Sequence, residues 1–200
     1  MAISLEKGKK VSLKKGGSAG LGEILVNLNW NAKPVKKGLF GMLGGGQGID
    51  LDLGCLFELK DGQKGVVQAL GNAFGSLHQL PFIALDGDDR TGAVTTGENL
   101  RIDGNKISIF KRILVYTFIY EGVTNWKQAD ATVTIKYPGA EDLIVKMDSF
   151  DSSDRMCGLA LLENVNDETF SVEKIVQFYP GHQALDAAYH WGMRWQAGRK

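Results

Sequence analysis

The stretch Ile49-Asp50-Leu51-Asp52-Leu53-Gly54-Cys55-Leu56-Phe57-Glu58 begins as a strict alternation of apolar and acidic residues and then runs apolar to Phe57. A β-strand carries its side chains with a period of two. Asp50 and Asp52 therefore fall on one face and Ile49, Leu51 and Leu53 on the other. Comparable β-rich runs occupy residues 23–29, 65–70, 106–109, 113–120, 132–136, 143–147, 159–165 and 170–178. Lys60-Asp61-Gly62, Asp103-Gly104-Asn105, Pro138-Gly139 and Asn166-Asp167 punctuate them, at roughly the 8–12-residue spacing of a sandwich or barrel. The expected fold is all-β, a β-sandwich of two mainly antiparallel sheets. Short helical segments are expected at 126–130, after Asn125, and within an irregular C-terminal tail over 181–195. No linker composition divides the chain, so residues 1–200 are read as one domain.

Composition agrees with a folded protein: 44% apolar and 23% charged residues exclude a disordered chain. Glycine, 26 of 200 residues, is high, while four prolines and no Gly-X-Y period exclude collagen and point to turns. Lys plus Arg equals Asp plus Glu at 23 each, which argues against a nucleic-acid partner held by net charge. The zero conceals segregation. Residues 1–40 hold eight lysines against two acids, whereas residues 41–100 hold three bases against eight acids.

No long apolar run precedes Lys7, so neither a signal peptide nor direct membrane insertion is expected, and the location is read as cytoplasmic. Cys55 and Cys157 each lie in an apolar stretch and read as buried free thiols.

The acid-rich block contains two clusters: the Asp50/Asp52 pair, and Asp86-Gly87-Asp88-Asp89-Arg90-Thr91-Gly92 followed by Thr95-Thr96-Gly97-Glu98. Carboxylates this dense repel one another unless water or a cation screens them. Carboxylates, hydroxyls and loop carbonyls are hard oxygen donors of the kind Ca2+ takes in flexible geometry. An EF-hand is excluded, because Arg90 and Gly97 stand at the fifth and twelfth positions counted from Asp86. The same residues also suit solvated turns.

Three segments together resemble the TerD-domain proteins, the tellurium-resistance and general stress proteins of bacteria: Gly48-Ile49-Asp50-Leu51-Asp52-Leu53-Gly54, Gly87-Asp88-Asp89-Arg90-Thr91-Gly92 and Val11-Ser12-Leu13-Lys14-Lys15-Gly16. The stretch from Ile119 to Trp126 and the tail from Gly181 to Trp195 are closer to the TerA branch. The resemblance implies a β-sandwich binding one or two Ca2+ ions between loops at one end, with Asp50, Asp52, Asp88, Asp89, Thr96 and Glu98 as metal ligands and Thr91 as a further candidate. It also implies a binding or scaffold role beside other tellurium-resistance and stress proteins, a membrane-associated complex among the partners. Where the family carries Gly-Trp-Asp, this chain has Asn29-Trp30-Asn31, an amide replacing a carboxylate.

No nucleophile motif is present and no catalytic residue is expected. A divalent-metal-dependent hydrolase or phosphoryl-transfer enzyme using the same carboxylates is the alternative. His182, Asp186 and His190 could share a helical face as metal ligands or an acid–base set. The aromatic residues Phe178, Tyr179, Tyr189, Trp191 and Trp195 read as packing of the terminal segment. The N-terminal lysines read as the protection of an edge strand. The glycine-rich stretch Gly38–Gly48 lacks Gly-Lys-Ser/Thr and precedes a strand, so it reads as a hairpin loop rather than a phosphate cradle.

Overall fold

Alternation along each strand decides which side chains enter the space between the sheets. The structure is a computed structural model that describes residues 2–13, 20–31, 49–87, 97–122, 124–147 and 152–198. In chain order the strands are β1 (Ile3–Ser4), β2 (Lys10–Ser12), β3 (Glu23–Asn29), β4 (Asp50–Leu59), β5 (Lys64–Gln68), β6 (Gly75–Ser76) and β7 (Ile83–Leu85). There follow β8 (Glu98–Asp103), β9 (Phe110–Glu121), β10 (Thr132–Lys136), β11 (Leu143–Lys146), β12 (Met156–Val165) and β13 (Thr169–Tyr179), with helices α1 (Trp126–Ala129) and α2 (His182–Ala188). Among the described residues they build one sheet in the order β1-β11-β10-β3-β8-β7-β6 and a second in the order β2-β13-β12-β9-β4-β5. Every pairing is antiparallel except β1 with β11. The expected two-sheet, all-β sandwich is what forms.

On β3 the burial alternates, with Ile24, Val26 and Leu28 inward and the remaining residues partly or fully exposed. These residues pack with Leu51, Leu53, Cys55 and Phe57 of β4 and Ile113 and Val115 of β9. β4 is buried along its whole length because its other face is covered too. Leu56 joins Leu114, Tyr116 and Phe118 of β9 beneath Leu185 of α2 and Trp191 of the tail. Each such aliphatic or aromatic side chain contributes about 1.5–3 kcal/mol by leaving water. A strand buried on both faces reads as a continuous apolar run, and residues 53–57 do.

The sequence reading needs four corrections. Residues 106–109, expected as strand, belong to a 3-10 turn spanning Gly104–Ile109. Asp103 caps it by accepting from the Asn105 N–H at 3.0 Å, a local bond that competes with strand pairing. The C-terminal helix stops at Ala188, with His190 at φ 53° and Gly192 at φ 71° turning the chain away. His182 and His190 therefore share no helical face. β8 was not anticipated. Its Asn99, Arg101 and Asp103 are only partly buried while Glu98, Leu100 and Ile102 are buried, a half-polar pattern that local apolar density conceals. The short strands β1, β6 and β7 were missed as well.

Other expectations hold. β2 is an edge strand, with Lys10 paired to Glu163 and Glu173, and Cys55 and Cys157 are buried free thiols. Helix α1 follows Asn125, whose side chain accepts from the Gln128 N–H at 3.0 Å. Lys14, Lys15 and the stretch Gly38–Gly48 lie outside the described residues, except that Ile49 directly follows the latter. Among the described residues no helix is long and apolar enough to cross a membrane.

Candidate functional site

The acidic pair begins β4, and the two carboxylates do share a face. Ile49, Leu51 and Leu53 belong to the core between the sheets, so Asp50 and Asp52 look the other way, Asp52 in register with Phe118. Both are buried, Asp50 at 5% exposure and Asp52 at 0%. Burial above all, then the neighbouring Cys55 thiol and the Asp52 carboxylate, hold the Tyr116 phenol well above its ordinary range.

Glu98 comes from the opposite sheet. It opens β8 with its side chain inward at 2% exposure, and its Oε2 accepts the Leu53 N–H at 2.6 Å. The contact joins the sheets one residue from Asp52. Trp30, just beyond β3, donates from Nε1 to the Ile49 carbonyl at 2.9 Å and fixes the start of β4. Asp50 and Asp52 at the start of β4 and Glu98 at the start of β8 are thus all buried, the two aspartates on the outer face of the second sheet and Glu98 on its inner face. Asp50 also stands in register with Glu121 across β9. Like charges directly opposite on neighbouring strands repel. Reading residues 113–120 as a strand did not expose Glu121, because its partner depends on a register shift between Asp50 and Leu51.

Asp88, Asp89, Thr91 and Thr96 lie outside the described residues. Among the described residues no three of His, Cys, Asp and Glu stand close enough together to hold a metal ion. Asp50, Asp52 and Glu98 are therefore not a metal shell by themselves. Their donor chemistry, carboxylate oxygen without thiol or imidazole, fits a hard divalent cation such as Ca2+. Asp86 is engaged elsewhere. Both its oxygens accept from Arg101 Nε, at 2.7 and 2.8 Å, and Arg101 also bonds Glu23.

The His182–Asp186–His190 set does not assemble. Asp186 accepts from the Gly192 and Met193 N–H groups at 2.7 and 3.0 Å and from Trp195 Nε1 at 2.9 Å, which folds the tail back on α2. His182 Nε2 instead meets Gln68 Oε1 at 2.9 Å. The aromatic tail packs as expected, with Trp191 fully buried and Arg112 lying 3.8 Å over its ring.

A two-sheet sandwich with buried acids at the starts of β4 and β8 defines the class of protein. Comparison with known proteins then fixes the family: a family model for the TerD domain matches residues 1–134. The chain is 42% identical over 200 residues, 99% of its length, to a tellurium resistance protein TerA from Alcaligenes sp. It is 38% identical over 111 residues, 52% of its length, to the stress response protein SCP2 of Bacillus subtilis. It spans 58% of the first relative and 47% of the second. The crystal structure of a homologue of the telluride resistance protein TerD from Streptomyces coelicolor superposes with a TM-score of 0.59 at 18% identity. That match covers 88% of this chain and 100% of that one, a likeness of fold. The chain belongs to the TerD-domain family of tellurium-resistance and stress-response proteins.

Proposed function

We propose that this chain is a Ca2+-binding component of a bacterial tellurite-resistance and stress response, acting by binding rather than catalysis. The observation that carries the reading is the meeting of Glu98 with β4 beside Asp52. It sets a buried carboxylate of β8 against β4 one residue from Asp52. Asp50, Asp52 and Glu98 supply the rigid part of a ligand set, with Asp88, Asp89 and Thr96 completing it for one or two ions. Bound Ca2+ supplies positive charge there. The chain's own residues then hold the two loops together as a surface for partner stress proteins, a membrane-associated complex among them. The names of the relatives support the biological setting, and cytoplasmic location follows from the same reading.

The test is the thermal midpoint of the chelator-treated chain with and without Ca2+. A ligand bound only by the native state at 100 times its Kd adds about 2.7 kcal/mol, a rise of about 5–10 °C for a domain of this size. Asp52→Asn should lose most of that rise. An unchanged midpoint in millimolar Ca2+, together with no saturable heat in calorimetry, refutes the proposal.

A further inference from the structure

The end of β4 away from its acidic pair lies against β5, where Glu58 pairs with Lys64. In an antiparallel ladder alternate residues turn both N–H and C=O toward the neighbouring strand, and those between turn both away. Two bonds fix the phase in β5. The Gln63 carbonyl accepts from the Leu59 N–H at 2.8 Å, toward β4, whereas the Gln68 N–H turns away from β4 to the Ala73 carbonyl at 2.9 Å. The pairing from Lys64 to Gln68 runs without a register shift, so Lys64 and Val66 also turn their backbone groups away from β4. β5 is the edge of its sheet, and among the described residues nothing bonds to the outward N–H and C=O of Lys64 and Val66.

A cleft of about 570 Å3 lies between Lys64, Val66 and Ala73 on one side and Met193 and Arg194 of the returning tail on the other, within the size range of ligand sites. Because Ala73 lines it, the cleft is on the side toward which the free backbone groups point. The bond from Gln68 to Ala73 closes the edge at one end, so the open stretch is short. Its wall changes character along the strand. Val66, Leu70 and Met193 pack against the apolar cluster of the outer face, which makes the part beside Val66 apolar. The part beside Lys64 is cationic, since Lys64 and Arg194 are the only charged residues lining the cleft among the described residues. Glu58, 3.9 Å from Lys64, is 5% exposed and already held by Lys111 and Arg112.

We propose that β5 accepts an added strand here: an extended peptide segment of a partner protein, paired antiparallel, with an apolar residue opposite Val66 and an acidic residue two positions further along, opposite Lys64. Main-chain bonds to Lys64 and Val66 supply affinity, and the side chains of alternate residues supply specificity. Antiparallel is the sense of every pairing in this sheet. The period of two then puts both recognised side chains on the outer face, the apolar one beside Val66 and the acidic one in the cationic part. A second copy of this chain is a poor occupant, because two such edges meeting would set Lys64 and Arg194 against their like. The surface lies apart from the carboxylates of the Ca2+ reading and does not depend on it.

The experiment is an NMR titration of the full chain with the peptide acetyl-Thr-Ile-Thr-Glu-Thr-amide, following the Lys64 and Val66 amides. Saturable shifts of those amides are expected, with a Kd of about 1 mM or tighter. Lys in place of the peptide's Glu should weaken binding by about tenfold or more. N-methylation of its Ile removes the N–H that the Val66 carbonyl accepts and should weaken binding by about as much. In the protein, Arg194→Glu should erase the preference for Glu over Lys. Val66→Pro removes an outward N–H, where an edge strand tolerates proline, and should abolish binding. The proposal is overturned by equal binding of the Glu and Lys peptides, by equal binding of the N-methylated one, or by no saturable binding, which leaves Lys64 as a guard of the edge. A dimer in sedimentation that Val66→Pro dissociates assigns the edge to a second copy and overturns it too. The peptide comparisons on the native chain decide even if a variant fails to fold.

Discussion

Acidification between pH 7 and pH 5 should weaken this protein through His182, and replacing that residue should remove the effect. The imidazole is largely buried among Tyr116, Phe118 and Trp195, and desolvation alone drives it from 6.5 down to about 4. In the unfolded chain it takes up a proton near its ordinary value, whereas in the folded chain it resists. Below pH 6.5 the unfolded state therefore binds more protons, and stability falls with pH until the folded value is reached. The contribution is fully present above 6.5 and gone below about 4. Its full size is about 3 kcal/mol, of which about 2 kcal/mol is lost by pH 5. For a domain of this length that loss lowers the thermal midpoint by about 4–8 °C. Glu58 adds little in this window. Burial would raise its carboxyl, but Lys111 and Arg112 together hold it below its ordinary value, so its share is present above about pH 4.5 and is lost only in more acid solution. The assay is urea or thermal unfolding at half-unit pH steps for the native chain and His182→Phe, beside an NMR titration of the imidazole. Expected is a curve that slopes in the native protein and is flatter by about 2 kcal/mol in the variant over pH 7 to 5. Parallel curves, or an imidazole that titrates above pH 6, would refute the reasoning.

Three further outcomes follow from particular contacts. Glu98→Ala strands the buried Leu53 N–H and should cost about 1.5–3 kcal/mol in urea unfolding, while Glu98→Gln, which keeps an accepting oxygen, should cost clearly less; equal losses would show that the bond to Leu53 is not what Glu98 contributes. Asp186→Ala removes the acceptor of two backbone N–H groups and the Trp195 indole. Limited proteolysis should then cut within 192–198 well before the sandwich, and an uncut tail counts against the tether. Cys55 and Cys157 are fully buried, and burial pushes the Cys55 thiol up to about 12. A disulfide reagent should label neither in the native protein and both after denaturation, and rapid native labelling would contradict their burial.

The local patterns that were legible and those that were not differ in physical kind. β3, β4, β9, β10, β12 and β13 could be read because β-branched and aromatic density or strict alternation marks them. β8 was hidden because only its Glu98, Leu100 and Ile102 side chains face inward, and one of those is charged. The acidic pair of β4 was assigned to one face correctly, since a period of two needs nothing beyond the strand itself. The arrival of Glu98 at Leu53, 45 positions away, needs the pairing of both sheets. The histidine grouping failed because spacing by eight residues assumes a helix that continues, and this one ends at Ala188. The buried contacts of Gln68 with Tyr116 and His182 gave no warning either, since they form only where β5, β9 and α2 meet.

By itself, then, the sequence determined what alternation, composition and motif can encode: an all-β chain, inert buried thiols, acids concentrated at the start of the fourth strand and again over residues 86–98, and membership of a family whose acidic motifs occur in this order. Periodicity is a property of neighbouring residues, so it survives without a fold. Only the tertiary structure decided which distant groups share an environment. It covered the outer face of β4, tied Glu98 to the opposite sheet, and spent Asp186 on the tail and Asp86 on Arg101. It also placed His182 where burial keeps the ring neutral, against the Gln68 side chain. Burial and hydrogen-bond partners are set by which strands lie side by side, and that order is written in no single stretch of the chain.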